Sequence, residues 1–356
     1  MSSLTRLDMS NAGMTKKNTK RILLGLALLL LPILVGWGVG PFWVRLLDFS
    51  LLYCMLALGL NLVVGFAGLL DLGYIAFYGV GAYTYALFES GQFGLHWPVL
   101  PVLLLGAFFA ALMGMLLGAP TLKLRGDYLA IVTLGFGEII RLFLNNLDQP
   151  VNITNGPQGI SGIDALHIGN WYFDQGMTLA SLHVSAETIY YLLFLFVAAG
   201  LYGLAHRLQH SPFGRAWMAI REDEMAAAAM GLPLRRLKLL AFACGAGFAG
   251  LAGGLFAAFQ GFVSPESFSL MESVMVLCMV VLGGMGHLPG VCLGAVLLTL
   301  LPELLRSWAG SRMGMGLDPA NIRMLVFGLA MIATVIVRPQ GLWPSRVRAR
   351  EMMDHD

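Results

Sequence analysis

Residues His206–Lys238 read HRLQHSPFGRAWMAIREDEMAAAAMGLPLRRLK. This polar stretch lies between two long apolar runs. Phe213–Ile220 leads into the charged run Arg221-Glu222-Asp223-Glu224, and Met225–Met230 follows as an alanine-rich helical run. Alanine gives up the least side-chain entropy in a helix. Gly231 with Pro233 two residues later is a helix stop. The reading is a pair of short, charged surface helices standing out of a membrane body; the alternative is an ordinary connection between two spans.

Composition supplies that membrane body. The 356 residues are 58% hydrophobic and only 12% charged, where a soluble domain carries roughly 25% charged residues. Most of the chain must therefore meet lipid or other apolar helices. The fold class expected is all-α, a polytopic bundle of membrane helices. Glycine is frequent, 44 residues, which suits close helix packing in lipid. A net charge of +2 is too small to suggest nucleic acid. Cys54, Cys244, Cys278 and Cys292 all fall in apolar runs without Cys-x-x-Cys spacing. They read as small buried hydrophobes rather than a disulfide framework or a zinc site.

A span needs about 20 apolar residues. Ten candidates appear: Ile22–Trp37, Leu46–Gly65, Leu72–Phe88, Pro98–Gly118, Tyr128–Leu144, Thr188–Ala205, Leu239–Phe259, Leu270–Gly286, Val291–Trp308 and Ile322–Val337. Some are short, so one or two are candidates for broken or re-entrant helices. Between Leu46 and Phe88, Gly65, Gly68, Gly73, Gly79 and Gly81 interrupt the pattern. The division expected is an N-terminal tail over 1–21, a transmembrane body over 22–343 and a C-terminal tail over 344–356. Lys16, Lys17, Lys20 and Arg21 flank an uncleaved first span entering from the cytoplasm. With ten spans both termini are cytoplasmic, and most of the 22 Lys and Arg then fall in cytoplasmic segments, as the positive-inside rule asks. Arg45, Arg141, Arg306, Arg312 and Arg323 are exceptions, and three of them surround the last loop. Residues 145–187 contain no Lys or Arg and face outside. Within that loop, Asn152–Ile163 (NITNGPQGISGI) is rich in turn chemistry. It reads as a structured cap or docking surface, or as a plain connection.

Several patterns are weighed and set aside. Gly245–Gly250 matches G-x-G-x-x-G, but a dinucleotide site needs a preceding strand, and this match lies inside a span; helix packing explains it. The same holds for Gly286, Gly290 and Gly294 at four-residue spacing. His206 and His210 could face one metal, but no third ligand is near, and a hydrated helix end is the simpler reading. No Gly-x-x-x-x-Gly-Lys-Ser/Thr occurs, so ATP, if used, is hydrolysed by another subunit. Asp71, Glu138, Arg141, Glu272 and Glu303 are ionisable residues in or beside spans, each a functional candidate by default; Asp71 and Glu303 lie near expected span ends, which favours a structural reading for those two. Glu138 and Arg141, three apart, can pair on one face. No proton-relay chain and no nucleophile–base constellation is visible, which argues against a proton-coupled carrier and an intramembrane enzyme.

Four further stretches carry a resemblance. Gly59–Leu87 (GLNLVVGFAGLLDLGYIAFYGVGAYTYAL), Gly214–Phe242, Leu282–Ala295 (LGGMGHLPGVCLGA) and Arg323–Pro344 are similar to the LivM-type permeases of branched-chain amino acid ABC importers. NITNGPQGISGI resembles the outer-loop signature of that family. The resemblance covers most of residues 45–345. It implies a non-enzymatic transport subunit in the bacterial inner membrane. The implied partners are a second, related permease, two cytoplasmic ATPases that bind ATP and Mg2+, and an external substrate-binding protein. The implied substrates are branched-chain or related aliphatic amino acids, with urea or short amides as a close variant and a stand-alone secondary transporter as the different-class alternative. It makes residues 206–238 the loop that couples to the ATPase, through Gly214, Arg215, Ile220, Arg221, Glu222, Asp223, Glu224, Ala226, Ala227 and Gly231. One departure stands out: the family pattern is Glu-Ala-Ala, three residues, then Gly, and here Met225 occupies the Glu place with Glu224 one residue earlier. Asn61, Gly65, Gly68 and Glu138 are the candidates for the translocation path. No cofactor or metal is expected in the chain itself.

Overall fold

A computed structural model describes residues 27–312 except 37, 39, 122, 123, 125, 149–151, 169, 170, 180 and 181, together with isolated positions near the C-terminus. The N-terminal tail, Lys123, Arg125, all but isolated positions of the tenth expected span, and the C-terminal tail lie outside the described residues.

The described chain is helical. The helices are α1 (Ala27–Gly36), α2 (Pro41–Leu60), α3 (Ile75–Phe88), α4 (Val99–Thr121), α5 (Asp127–Asn145), α6 (Ala186–His210), α7 (Pro212–Glu222), α8 (Glu224–Ala229), α9 (Leu234–Gln260), α10 (Leu270–Gly283) and α11 (Leu288–Arg312). Five helical segments are long and apolar enough to cross a membrane: Pro41–Phe66, Val99–Thr121, Tyr128–Asn145, Ala186–His210 and Leu234–Gln260. Ala27–Gly36, Ile75–Phe88, Leu270–Gly283 and Leu288–Leu304 are apolar but shorter. At 1.5 Å per residue, the 14 residues of α3 and of α10 reach about 21 Å, short of a roughly 30 Å hydrocarbon core. The polytopic helical bundle is thus present, and the expected interruption between Leu46 and Phe88 has a defined form. α2 runs on through a π-helical segment, Asn61–Phe66, and the chain then breaks before α3.

α9 is the hub. It packs along α4, α3 and α2, and glycine makes the approach possible. A Cβ on Gly250 would stand 2.8 Å from the Gly106 carbonyl oxygen, and one on Gly245 would stand 2.9 Å from that of Gly59. These gaps are too small for any side chain, so two glycines of the G-x-G-x-x-G match serve helix contact, as expected. Gly290 and Gly294 likewise lie against α10, at Gly283 and Met279. The four cysteines are free.

The long loop after α5 is built, not merely connecting. Asn155 takes left-handed backbone, φ 60°, which asparagine tolerates through local hydrogen bonding. The Asn152 side-chain oxygen accepts the Asn155 N–H at 2.8 Å, and the Asn155 amide donates to the Gly159 carbonyl at 2.9 Å. β1 (Ile160–Ser161) then pairs antiparallel with β6 (Phe262–Val263), in register Ile160 with Val263. That pairing ties the loop to the α9–α10 connection. β2 (His167–Ile168) pairs with β3 (Trp171–Tyr172), and β4 (Met177–Leu179) pairs with β5 (Leu182–Val184). Strands of two or three residues are invisible to a period-two reading of the sequence.

Candidate functional site

The polar stretch folds as its punctuation directs. Ser211 caps α7, its hydroxyl accepting the Gly214 N–H at 3.2 Å, with Pro212 at the first helical position. Gly214 lies against the backbone at Leu208 and Gln209, where no Cβ fits. Asp223 ends α7 and caps α8; its Oδ1 accepts the N–H groups of Met225 (2.8 Å) and Ala226 (3.0 Å). Gly231, at φ 81°, closes α8 in left-handed backbone, its N–H donating to the Ala228 carbonyl at 2.9 Å. That is the end expected of a helix whose C′ residue is glycine.

The two helices differ in how far they stand out. α7 is half sunk. Trp217 and Ile220 are buried, and the indole N–H of Trp217 donates to the Leu237 carbonyl of α9 at 2.8 Å. α8 is the projecting element. Met225 and Met230 are 71% and 84% exposed, Ala226 is exposed, and Ala227 alone of the α8 residues is buried. Arg215, Glu222 and Asp223 are exposed around it. Glu224 turns inward and pairs with the nearly buried Lys238 ammonium at 2.7 Å. In this chain, therefore, the outward position at the start of α8 belongs to Met225, and the carboxylate beside it anchors α8 to α9. A cavity of about 380 Å³ opens next to this junction, between Gly68, Leu69, Leu129, Arg221, Glu224 and Lys238.

Arg221 links the short helices to the membrane body. Its Nη1 donates to the Gly65 carbonyl at 2.5 Å, inside the π-helical segment. Gly65 lies in the last turn of that segment, where carbonyls have no intrahelical partner, so this one is offered to a side chain; π-segments of this kind often mark functional sites. A Cβ on Gly68 would stand 2.7 Å from Arg221 Cγ, and one on Gly286 would stand 3.2 Å from Arg221 Nη1. Gly68 thus leaves room for the Arg221 side chain, and Gly286 lies close against its guanidinium. Four residues earlier, the buried Asn61 side chain accepts the Gly286 N–H at 2.8 Å. The structure therefore gathers Arg221, Asn61, Gly65 and Gly68, residues expected to belong to two separate sites, into one junction. Sequence reading missed Gly286 as a member. Its signal was the Leu282–Ala295 glycine cluster, which reads equally well as packing.

Glu138 lies elsewhere. It pairs with Arg141 at 2.5 Å, as the spacing suggested, and Arg141 also reaches Glu266 at 3.0 Å. Pairing offsets the cost that each charge carries inside a span.

At the opposite end of the bundle, just past α3, a second cluster of polar groups was not foreseen. Glu89, His96 and Asp164 bring one potential ligand atom each within 4.8 Å of one another. His96 and Asp164 are 2.6 Å apart, and the Glu89 carboxylate is buried with no hydrogen-bond partner among the described residues. Burial raises the Glu89 carboxyl from 4.5 to about 7, the Asp164 charge pushes the same way, and His96 pulls it back. The folded protein therefore keeps a proton that the unfolded chain releases near pH 4.5. Stability contributed by that proton is present below about pH 4.5 and is lost as pH rises to about 7. Glu89→Gln is expected to narrow the difference in melting temperature between pH 5.5 and pH 8. Thermal melts of the purified protein check this, and an unchanged difference contradicts it.

Comparison with known proteins places the chain. A family model described as "Branched-chain amino acid transport system / permease component" matches residues 42–335. The high-affinity branched-chain amino acid transport system permease protein LivM of Escherichia coli is 44% identical over 338 residues, 91% of this chain and 75% of the relative. A probable LivM of Methanocaldococcus jannaschii is 26% identical over 83% of this chain and 91% of the relative. The LivH permease protein of Escherichia coli is 24% identical over 81% of this chain and 92% of the relative. No solved structure matched. The matched region contains every helix from α3 to α11, the Arg221 junction among them, and the chain belongs to the family of permease components of branched-chain amino acid transport systems.

Proposed function

We propose that the chain is the LivM-type membrane subunit of an ATP-driven importer for branched-chain and related aliphatic amino acids. The observation that carries the coupling part of this reading is the hydrogen bond from Arg221 to the Gly65 carbonyl. It gives the exposed α8 a route into the span beside it. In the proposed assembly α8 faces the cytoplasm, and Met225, Ala226 and Met230 sit in a groove of an ATPase subunit. ATP and Mg2+ bind in that partner. A displacement of α8 moves α7 through the Asp223 hinge, and Arg221 passes it to the π-helical end of α2 and, through Gly65 and Asn61, to Gly286.

The other parts of the assembly follow the family. A second permease is needed, and the likeness to both LivM and LivH relatives favours a related rather than identical partner. The loop over 145–187 faces outward and receives a substrate-binding protein. Both termini are cytoplasmic, and the full span count is about ten, in the bacterial inner membrane.

The test is affinity purification of the tagged chain in mild detergent. The expected result is co-purification of an ATPase and a second permease, with hydrolysis stimulated by leucine-loaded binding protein. A chain that purifies alone and moves solute without ATP overturns the reading in favour of a secondary transporter.

A further inference from the structure

Glu89 follows directly on α3, and its surroundings do not satisfy it. The residue is 0% exposed, and neither carboxylate oxygen has a hydrogen-bond partner among the described residues. The hydroxyl of Ser90 beside it is buried and unpartnered as well. A buried carboxylate is normally paired with a cation or bound to a metal. The two segments that build this corner supply no cation of their own: residues 89–98 and 145–187 contain no Lys or Arg.

Backbone contacts fix the corner. The Asp164 N–H donates to the Glu89 carbonyl at 2.7 Å, Ser90 bridges Ile163 in antiparallel fashion, and the Tyr85 hydroxyl donates to the Asp164 carbonyl at 3.3 Å. Two carboxylates are thereby held near each other, which is unfavourable without a cation between them. His96, on the α3–α4 connection, reaches only one of them closely: its Nδ1 is 2.6 Å from Asp164 Oδ2. The Glu89 carboxylate completes the group, since one ligand atom from each of the three lies within 4.8 Å of the others.

We propose that Glu89, His96 and Asp164 form a zinc site. One imidazole nitrogen and two carboxylate oxygens are a donor set that zinc accepts at about 2.0–2.2 Å, with water in the fourth position. Calcium and magnesium take oxygen ligands. Two ligands of one tetrahedral ion stand about 3.3 Å apart, so the His96–Asp164 pair opens by less than about 1 Å and Glu89 closes in. The ion takes the place of the proton between His96 and Asp164, which leaves to solvent. The His96 and Asp164 side chains are 52% and 31% exposed, which gives them room to adjust and the ion a way in. Once bound, the ion clasps the end of α3, the α3–α4 connection and the long loop after α5. The spacing of the ligands does not announce the site, because 68 residues separate His96 from Asp164. The site does not depend on the importer reading.

The experiment measures zinc bound by the purified full-length chain with its co-purified partners, stripped with a chelator and dialysed against buffered zinc. The parent is expected to hold about one zinc per chain more than His96→Ala or Glu89→Gln, and both variants are expected to bind at least about tenfold more weakly. His96→Ala removes an exposed side chain and Glu89→Gln keeps the shape of the buried one. His96→Cys supplies another zinc ligand and is expected to recover binding. Zinc is expected to raise the melting temperature of the parent by several degrees and to leave that of His96→Ala and Glu89→Gln where it stands in chelator. Equal zinc content in the parent and both variants places the ion on another subunit and overturns the site. A parent that binds no zinc, or that is stabilised by calcium and not by zinc, overturns it as well.

Discussion

Replacing Arg221 with Glu is expected to cut ATP-driven uptake by about ten- to a hundredfold while the protein still inserts and its spans still pack. A charge-assisted hydrogen bond contributes roughly 1.5–3 kcal/mol, and each 1.36 kcal/mol is a factor of ten. The guanidinium reaches the Gly65 carbonyl at 2.5 Å past Gly68, which leaves room for the Arg221 side chain. A carboxylate at the same place faces a carbonyl oxygen and repels it, so the loss exceeds that of deletion. Arg221→Lys keeps the charge but not the fork of donors, and an intermediate uptake is expected. Uptake by both variants, measured at equal protein level in the membrane, checks this; normal uptake in Arg221→Glu contradicts the junction as the route of coupling.

The second large effect is expected from Gly231→Pro. Gly231 sits at φ 81°, while proline is fixed near −65° and has no N–H to donate. The variant therefore cannot hold the α8 end and loses the bond to Ala228. α8 has six residues, too few to persist without its ends. The damage stays local, because Trp217 still joins α7 to α9 through Leu237. The expected result is a protein at near-normal level whose uptake falls at least about tenfold. Gly231→Asn is the control: asparagine visits left-handed backbone, and most uptake is expected to survive. Equal uptake in the proline and asparagine variants contradicts a role for the ordered end of α8.

Residue chemistry made much of this legible before any coordinates. Gly231-x-Pro233 was read as a helix stop; Ser211-Pro212 and Asp223 carry equally local instructions, a forced first turn and a cap, that the sequence reading did not use. α7 and α8 begin and end where those instructions say. The Glu138–Arg141 pair was legible because three residues make less than one turn of helix. The junction between Arg221 and Gly65 was not, since 156 residues separate them and a glycine that admits a guanidinium looks like one that admits a helix. Glu224 was ambiguous for a related reason. Its turn inward depends on Lys238, a full helix boundary away. Tyr53 and Glu272, joined across 219 residues, belong to two helices whose meeting no periodicity announces. The outer loop was readable as turn chemistry at Asn152–Gly159, but its pairing with Phe262–Val263 depends on the fold alone.

The account's central claim is that ATP hydrolysed outside this chain drives amino acid movement through it. The most direct measurement is uptake of radiolabelled leucine by proteoliposomes containing the chain with its co-purified partners, with and without ATP on the side that α8 faces. The account predicts accumulation that requires both ATP and loaded binding protein, and that is lost in Arg221→Glu. Uptake by the chain alone, indifferent to ATP and to that substitution, would contradict it.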